Sequence, residues 1–166
     1  MTNFSQKDEK NFADLKSSFK DLGLPICEEQ RRDGFMVFES KFAYESYPIR
    51  ILILLDAAHD TVTVSIHYGL IPDSKKSVIY ELINKVNATL CASHFAVHDD
   101  TGQLALLSGM YFVDNFINKK EFQRIVNQLL SDSYNFAPLI GKQIESDETP
   151  EVMFKKFLEE NKDRIV

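Results

Sequence analysis

Histidines are the residues of this chain best suited to metal or acid–base chemistry, and the chain has four of them. His94 and His98 lie four residues apart, a spacing that would suit zinc on a helix. The flanking residues alternate in polarity instead, which predicts a strand. Two strand residues four apart share a face but lie more than about 10 Å from each other, too far to hold one ion. We therefore predict no bound metal and no cofactor.

A second candidate for chemistry is the group Asp56, His59 and Asp60, since a carboxylate beside a histidine can orient a general base. The same residue types are typical of a tight turn, where an aspartate accepts hydrogen bonds from backbone N–H groups. His98, Asp99 and Asp100 repeat the pattern further along the chain. We interpret both groups as turns.

The chain also contains no G-x-S-x-G, G-x-G-x-x-G, P-loop or H-E-x-x-H motif. We predict that it has no catalytic residues and is not an enzyme.

Charge and composition narrow the range of partners. The formal net charge is -6, which repels phosphate backbones, and the basic residues occur only as scattered pairs. No nucleic-acid partner is expected. The N-terminal residues lack the apolar segment of a signal peptide, and no apolar run approaches the roughly 18–20 residues of a membrane span. Cys27 and Cys91 form no C-x-x-C motif. We expect a cytoplasmic protein with no membrane partner.

The elements that carry these residues follow from hydrophobic periodicity and from helix-capping signals. The predicted elements are a helix at 5–22 capped by Ser5, strands at 35–42, 49–56 and 61–68, a helix at 72–87, strands at 90–98 and 103–113, and helices that begin at Asn118 and Thr149. A further short strand at 26–30 is only weakly signalled. Pro138 should kink or restart the third helix. The order α-β-β-β-α-β-β-α-α, with about five strands in adjacent hairpins and three to four helices, predicts an α+β fold with an antiparallel sheet.

The stretch NKVNATLCASHFAVHDDTGQLALLSGMYF, from Asn84 to Phe112, resembles the YbjN-like family. The matching features are Asn87 at the end of the middle helix, a strand, a D-x-x-G turn, and a strand of small and apolar residues. The resemblance implies the fold of type III secretion chaperones and a binding or chaperone-like role, often in a dimer. It offers no catalytic residues. It predicts a domain at 1–141, followed at 142–166 by a helical extension packed on the same domain.

The two hairpins have registers that their turns should fix. With Ala58–His59 at the tip, the first hairpin pairs Leu55 with Val62, Ile53 with Val64 and Ile51 with Ile66 on one face, and Leu54 with Thr63, Leu52 with Ser65 and Arg50 with His67 on the other. The second hairpin pairs Val97 with Leu104 and Phe95 with Leu106 on one face, and Ala96 with Ala105, His94 with Leu107 and Ala92 with Gly109 on the other. The first face of each hairpin is bulky and apolar, as a face that carries helices should be.

The other face is mixed and includes several small side chains, which leave room for another element to pack closely. We predict a packing surface at Leu52, Leu54, Ala92, His94, Ala96, Ala105, Leu107, Gly109 and Tyr111. The fourth helix is the favoured cover, because it must bury its own apolar side. A second subunit or a segment of a client protein are the alternatives.

The sequence therefore predicts a non-enzymatic protein-binding module, chaperone-like or regulatory, with a protein partner or client and with a homodimer as one arrangement. The alternative is a small-molecule-binding domain or enzyme whose site is assembled from dispersed residues. A deep pocket lined by His67, His94 and Tyr111 would favour that alternative.

Overall fold

The structure, a computed structural model, describes residues 4–44, 47–112 and 116–162. Its helices are α1 (Gln6–Asp21), α2 (Lys76–Asn87), α3 (Lys119–Glu145) and α4 (Pro150–Glu160), and its strands are β1 (Glu28–Arg32), β2 (Phe35–Tyr44), β3 (Tyr47–Asp56), β4 (Thr61–Leu70), β5 (His94–Val97) and β6 (Gln103–Tyr111). A short 3₁₀ turn, Asp73–Lys75, precedes α2. No helix in the described ranges has both the length and the apolar character that crossing a membrane demands.

All strands join one antiparallel sheet in the order β1-β2-β3-β4-β6-β5. The α+β class and the predicted order of elements are confirmed. The sheet has six strands rather than about five, because the weakly signalled segment near residue 28 does pair along β2. Antiparallel neighbours suit the short connections, since parallel pairing would need a long crossover.

Local signals in the sequence set the ends of α1. The Ser5 side chain accepts a hydrogen bond from the Asp8 N–H, and the Asp8 carboxylate accepts one from the Ser5 N–H, forming a capping box. At the other end Gly23 has a φ of 75°, a conformation that glycine adopts without steric cost. The cap that the sequence predicts for α1 is thus confirmed.

The helices α1, α2 and α3 cover one face of the sheet. Ile51, Ile53 and Leu55 of β3 point into this face and are fully buried. On α1, the rings of Phe12 and Phe19 meet the Phe38 ring of β2 edge-on, at centroid distances of 5.8 and 5.3 Å. The face predicted to be bulky and apolar is therefore the seat of the core.

The predicted registers of both hairpins are confirmed wherever the strands pair. One predicted pair, Ala92 with Gly109, is wrong because β5 begins only at His94. The strand expected at 90–98 is thus shorter than predicted. The Asn87 side chain, at the end of α2, donates to the Phe95 carbonyl at 2.9 Å and accepts from the Phe95 N–H at 2.7 Å. This clamp fixes where β5 starts, so the residues before it form the connection from α2.

Two expectations for the end of the chain are corrected. Of the two outcomes predicted at Pro138, a kink or a restart of the helix, the restart does not occur, because α3 runs without interruption from residue 119 to residue 145. The boundary expected between residues 141 and 142 therefore falls within α3. The prediction that α4 covers the small-residue face is also wrong, since α4 packs on α2 and α3. Its Phe157 ring lies 5.3 Å from the Phe136 ring of α3.

Candidate partner-binding surface

One face of the sheet carries none of the helices in the described ranges, and we call it the open face. Alternate residues of each strand point into it, and they form cross-strand rows. One row runs Glu39–Leu52–Ser65–Leu107–His94, and its two neighbours run Val37–Leu54–Thr63–Gly109 and Lys41–Arg50–His67–Ala105–Ala96. A further row, Phe35–Asp56–Thr61–Tyr111, ends in a tyrosine that is 77% exposed.

Eight of the nine residues predicted as a packing surface lie on the open face. Leu52, Leu54, Ala96, Ala105 and Leu107 are half-buried, and His94, Gly109 and Tyr111 are exposed. Ala92 is the exception. It lies before β5, and its carbonyl accepts a hydrogen bond from the Ser108 side chain at 2.7 Å, on the helix-covered side of the sheet.

A salt-bridge cluster lies beside the leucines of the open face. The Arg50 guanidinium donates to both carboxylate oxygens of Glu39, at 2.8 and 3.3 Å, and the Lys41 ammonium lies 2.9 Å from the same carboxylate. These hydrogen bonds hold the pKa of Glu39 below its ordinary value, although burial opposes them. The Glu39 residue is only 6% exposed, and its carboxylate stays ionised because both cations reach it. These contacts are structural ion pairs, and they form the polar edge of the apolar area made by the leucines of the open face.

His67 lies next to this cluster and is hydrogen-bonded to a neighbour on its own strand. Its Nε2 is 2.9 Å from the Ser65 hydroxyl. Burial lowers the pKa of His67, a hydrogen bond with Gln103 opposes the shift, and the Arg50 charge reinforces it. The imidazole is therefore neutral near pH 7 and adds no charge to the open face.

The pocket that would have favoured an enzyme is not formed by the residues named for it. His67, His94 and Tyr111 lie in three different rows of the open face. Two cavities that the described residues line are elsewhere, one between α3 and α4 and one between α3 and the β3–β4 pair. Neither has any of the three residues in its wall.

The two polar turns have the geometry of turns. Asp56 accepts hydrogen bonds from the backbone N–H groups of Ala58 and His59 at 3.0 and 3.3 Å, and its other oxygen lies 2.7 Å from the His59 ring. Burial raises the pKa of Asp56, but the bonds from His59 and Ala58 outweigh it and lower the pKa overall. Asp60 adopts a φ of 51° and pairs with Lys7. In the second turn the His98 carbonyl accepts from the Gly102 N–H at 2.7 Å.

Within the described ranges, no three His, Cys, Asp or Glu side chains converge as metal ligands. The exposed thiols Cys27 and Cys91 are both free.

Sequence reasoning missed one feature, the cavity between α3 and the β3–β4 pair. Its volume is about 410 Å³, and Tyr68, Ser133 and Pro138 are among the residues in its wall. The signal was present in α3, where Ser133, Ala137 and Gly141 recur at a spacing of four and place small side chains along one stripe. The sequence does not show that the ends of β3 and β4 face that stripe across a gap.

An antiparallel sheet with one helix-covered face and one open face defines an α+β domain. A family model described as "YbjN: Putative bacterial sensory transduction regulator" matches residues 11–142, and the chain belongs to this family. The resemblance stated from the residues is confirmed. Comparison with curated proteins gave no match.

Two solved structures share the fold. YbjN from E. coli, described as "a putative transcription regulator", has a TM-score of 0.50 and 15% identity, over 73% of this chain and 84% of that one. A chain of the HopA1–SchA chaperone–effector complex has a TM-score of 0.52 and 10% identity, over 87% of this chain and 100% of that one. At these identities the likeness concerns the fold alone.

Proposed function

We propose that this chain is a non-enzymatic protein-binding module of the cytoplasm, chaperone-like or regulatory, and that a protein partner packs on the open face. The observation that carries the proposal is the set of leucines and small residues on a sheet face that no helix of the described chain covers. An antiparallel sheet with one solvated face ordinarily places polar side chains there. Leu52, Leu54 and Leu107 depart from that pattern, because these half-buried leucines add apolar area to the surface of the open face. Contiguous apolar area at a protein surface is typical of interaction sites.

The composition of the open face also suits a protein interface. Leu54 and Leu107 would form an apolar centre, and Ala105 and Gly109 leave space for side chains of the partner. The Glu39–Arg50 pair would form part of a polar rim. Tyr111 also suits an interface, because tyrosine is enriched among the interface residues that contribute most of the binding energy.

The relatives support the same class of function. The description of the family names sensory transduction regulation, and one structural neighbour belongs to a chaperone–effector complex. By analogy, this chain would act by binding another protein, without nucleic acid or membrane as its partner. The binding domain would comprise residues 1–141, with 142–166 as an extension packed on it. The partner could instead be a second copy of this chain, which would form a homodimer through the open face. The arginine substitutions described next distinguish this arrangement from binding of a different protein.

The test places an arginine on the open face. Ala105→Arg and Ala96→Arg each put a long charged side chain where a partner would approach. We expect both variants to melt close to the wild type, because no element of the described chain covers these positions. Proteins that co-purify with the tagged wild-type chain from native lysate should be lost, or the oligomeric mass by light scattering should fall if the partner is a second copy.

Ser131→Arg is the matched control, since Ser131 is exposed on α3 and lies off the sheet. The control should retain the partner and the mass of the wild type. A result in which Ala105→Arg keeps both would refute the proposal. Unfolding of both arginine variants would also count against it, because it would mean that the chain itself packs on this face.

A further inference from the structure

The cavity between α3 and the β3–β4 pair has the size and the lining of a small-molecule site. Its volume of about 410 Å³ lies within the roughly 300–1,000 Å³ typical of ligand pockets. Its wall is mostly apolar and includes Pro48 and Ile49 from β3, together with Ala137 and Pro138 from α3. It lies off the open face, so it does not depend on the proposed partner surface.

Polar groups in the cavity wall are few. Tyr68 donates a hydrogen bond to the Ser133 hydroxyl at 2.7 Å. Burial raises the pKa of Tyr68 well above its ordinary value, against the effect of this hydrogen bond, so the phenol stays protonated. Lys142 also lines the cavity, nine residues along α3 from Ser133, or about 13 Å along the helix axis.

Lys142 supplies the charge that an anionic head group would need. No carboxylate in the described parts of the chain forms an ion pair with its ammonium. Lys142 lies in the last turn of α3, where the helix dipole by itself disfavours an anion. Binding of a carboxylate there would therefore depend on this one ammonium group.

We propose that this cavity binds a small amphiphilic carboxylate, with the apolar tail between α3 and the β3–β4 pair and the carboxylate at Lys142. The apolar walls would exclude water from the tail, as in other ligand pockets. The small side chains of Ala137 and Gly141 keep the space open. A Cβ atom built on Gly141 meets no atom within 4 Å, so a larger side chain at this position can enter the cavity without displacing its neighbours.

Calorimetric titration with three probes tests the proposal. Octanoate carries both the tail and the charge, octan-1-ol carries the tail alone, and acetate the charge alone. The wild-type chain should bind octanoate more tightly than octan-1-ol and should give no binding with acetate. Absence of octanoate binding, or equal affinity for octanoate and octan-1-ol, would overturn the assignment.

Two pairs of variants locate the ligand. Gly141→Leu fills the cavity and should weaken both long-chain probes about tenfold or more, whereas Gly141→Ala keeps the space and should bind as the wild type does. Lys142→Gln should weaken octanoate alone, by about two- to fivefold, as expected for an exposed ion pair. Lys120→Gln, at an exposed lysine in the first turn of α3, should change nothing.

Unchanged octanoate affinity in Gly141→Leu would place the ligand elsewhere and contradict the proposal. Circular dichroism checks that this variant is folded, and Ala137→Leu fills the same cavity if it is not. Unchanged octanoate affinity in Lys142→Gln would remove the carboxylate from the assignment and so overturn it.

Discussion

At the scale of single residues, several polar side chains have structural roles. Asp56 binds the N–H groups of its own turn, and Glu39 neutralises two cations beside the leucines of the open face. Asn87 uses both ends of its amide on one residue of β5. Each of these three groups makes its hydrogen bonds or ion pairs with residues close to it in the fold.

His67 gives a prediction about pH. Because burial lowers its pKa in the folded state, the unfolded chain binds the proton more readily between that pKa and the ordinary value of about 6.5. The stabilising effect of keeping His67 neutral is complete above about pH 6.5 and is lost as the pH falls below it. His67→Gln should therefore lose less stability than the wild type between about pH 7 and 5.5, measured by urea unfolding.

Carboxylates with lowered pKa values, such as Glu39, titrate at lower pH and are present in both the wild type and His67→Gln. The difference in stability loss between the two proteins therefore reports on the His67 imidazole. An equal loss of stability in the two chains would show that His67 does not sense this pH range.

At the scale of elements, the sequence predicted what depends on neighbouring residues. Alternation and turn length set the register of both hairpins, because a slip by one residue would turn the apolar side of β3 outward. The start of β5 was mispredicted because it depends on Asn87 and on the bond from Ser93 to Asp132 of α3, 2.6 Å long. Such a contact joins residues far apart in the chain and leaves no local pattern.

The path of α3 past Pro138 is a second case in which distant packing outweighs a local signal. Proline lacks an N–H, and its ring crowds the carbonyl four residues earlier, which costs about 3 kcal/mol inside a helix. Phe136, Leu139 and Ile140 are buried on both sides of Pro138. Their burial keeps the helix continuous despite this cost.

Pro138→Ala should accordingly stabilise the protein, by about 1–3 kcal/mol in the free energy of unfolding. Chemical denaturation measures this directly. Gly141→Ala gives the scale for comparison, since replacing a glycine inside a helix is expected to add up to about 1 kcal/mol. A smaller gain at Pro138 than at Gly141 would indicate that the helix already relieves the proline by a local bend.

At the scale of the whole molecule, the sheet separates the helix-covered core from the open face where we propose that a partner binds. Its helix-covered face holds the core, and α4 adds to that side by packing on α2 and α3. The apolar stripe of α4 is visible in the sequence, but the ring it packs against, Phe136, lies on another element. For this reason the sequence could predict α4 and the mixed face of the sheet without predicting that the two stay apart.

Neighbouring residues of β3 test this separation, because they have similar side chains and opposite directions. Ile53 is fully buried under the helices, whereas Leu54 is half-buried on the open face. Ile53→Thr should destabilise the fold by about 2–5 kcal/mol, through lost packing and a buried hydroxyl. Leu54→Thr should cost less than about 1 kcal/mol, since threonine suits a strand and this side faces solvent.

Urea unfolding measures both costs, and recovery of co-purifying proteins gives the second readout. Leu54→Thr should reduce that recovery in a chain that remains as stable as the wild type, because the leucine would contact the partner rather than the core. Equal destabilisation by the two substitutions would mean that Leu54 belongs to the core of the monomer. Full recovery of the co-purifying proteins with Leu54→Thr would show that this leucine does not contact the partner. The contact would then have to be made at Ala96 of β5 and Ala105 of β6.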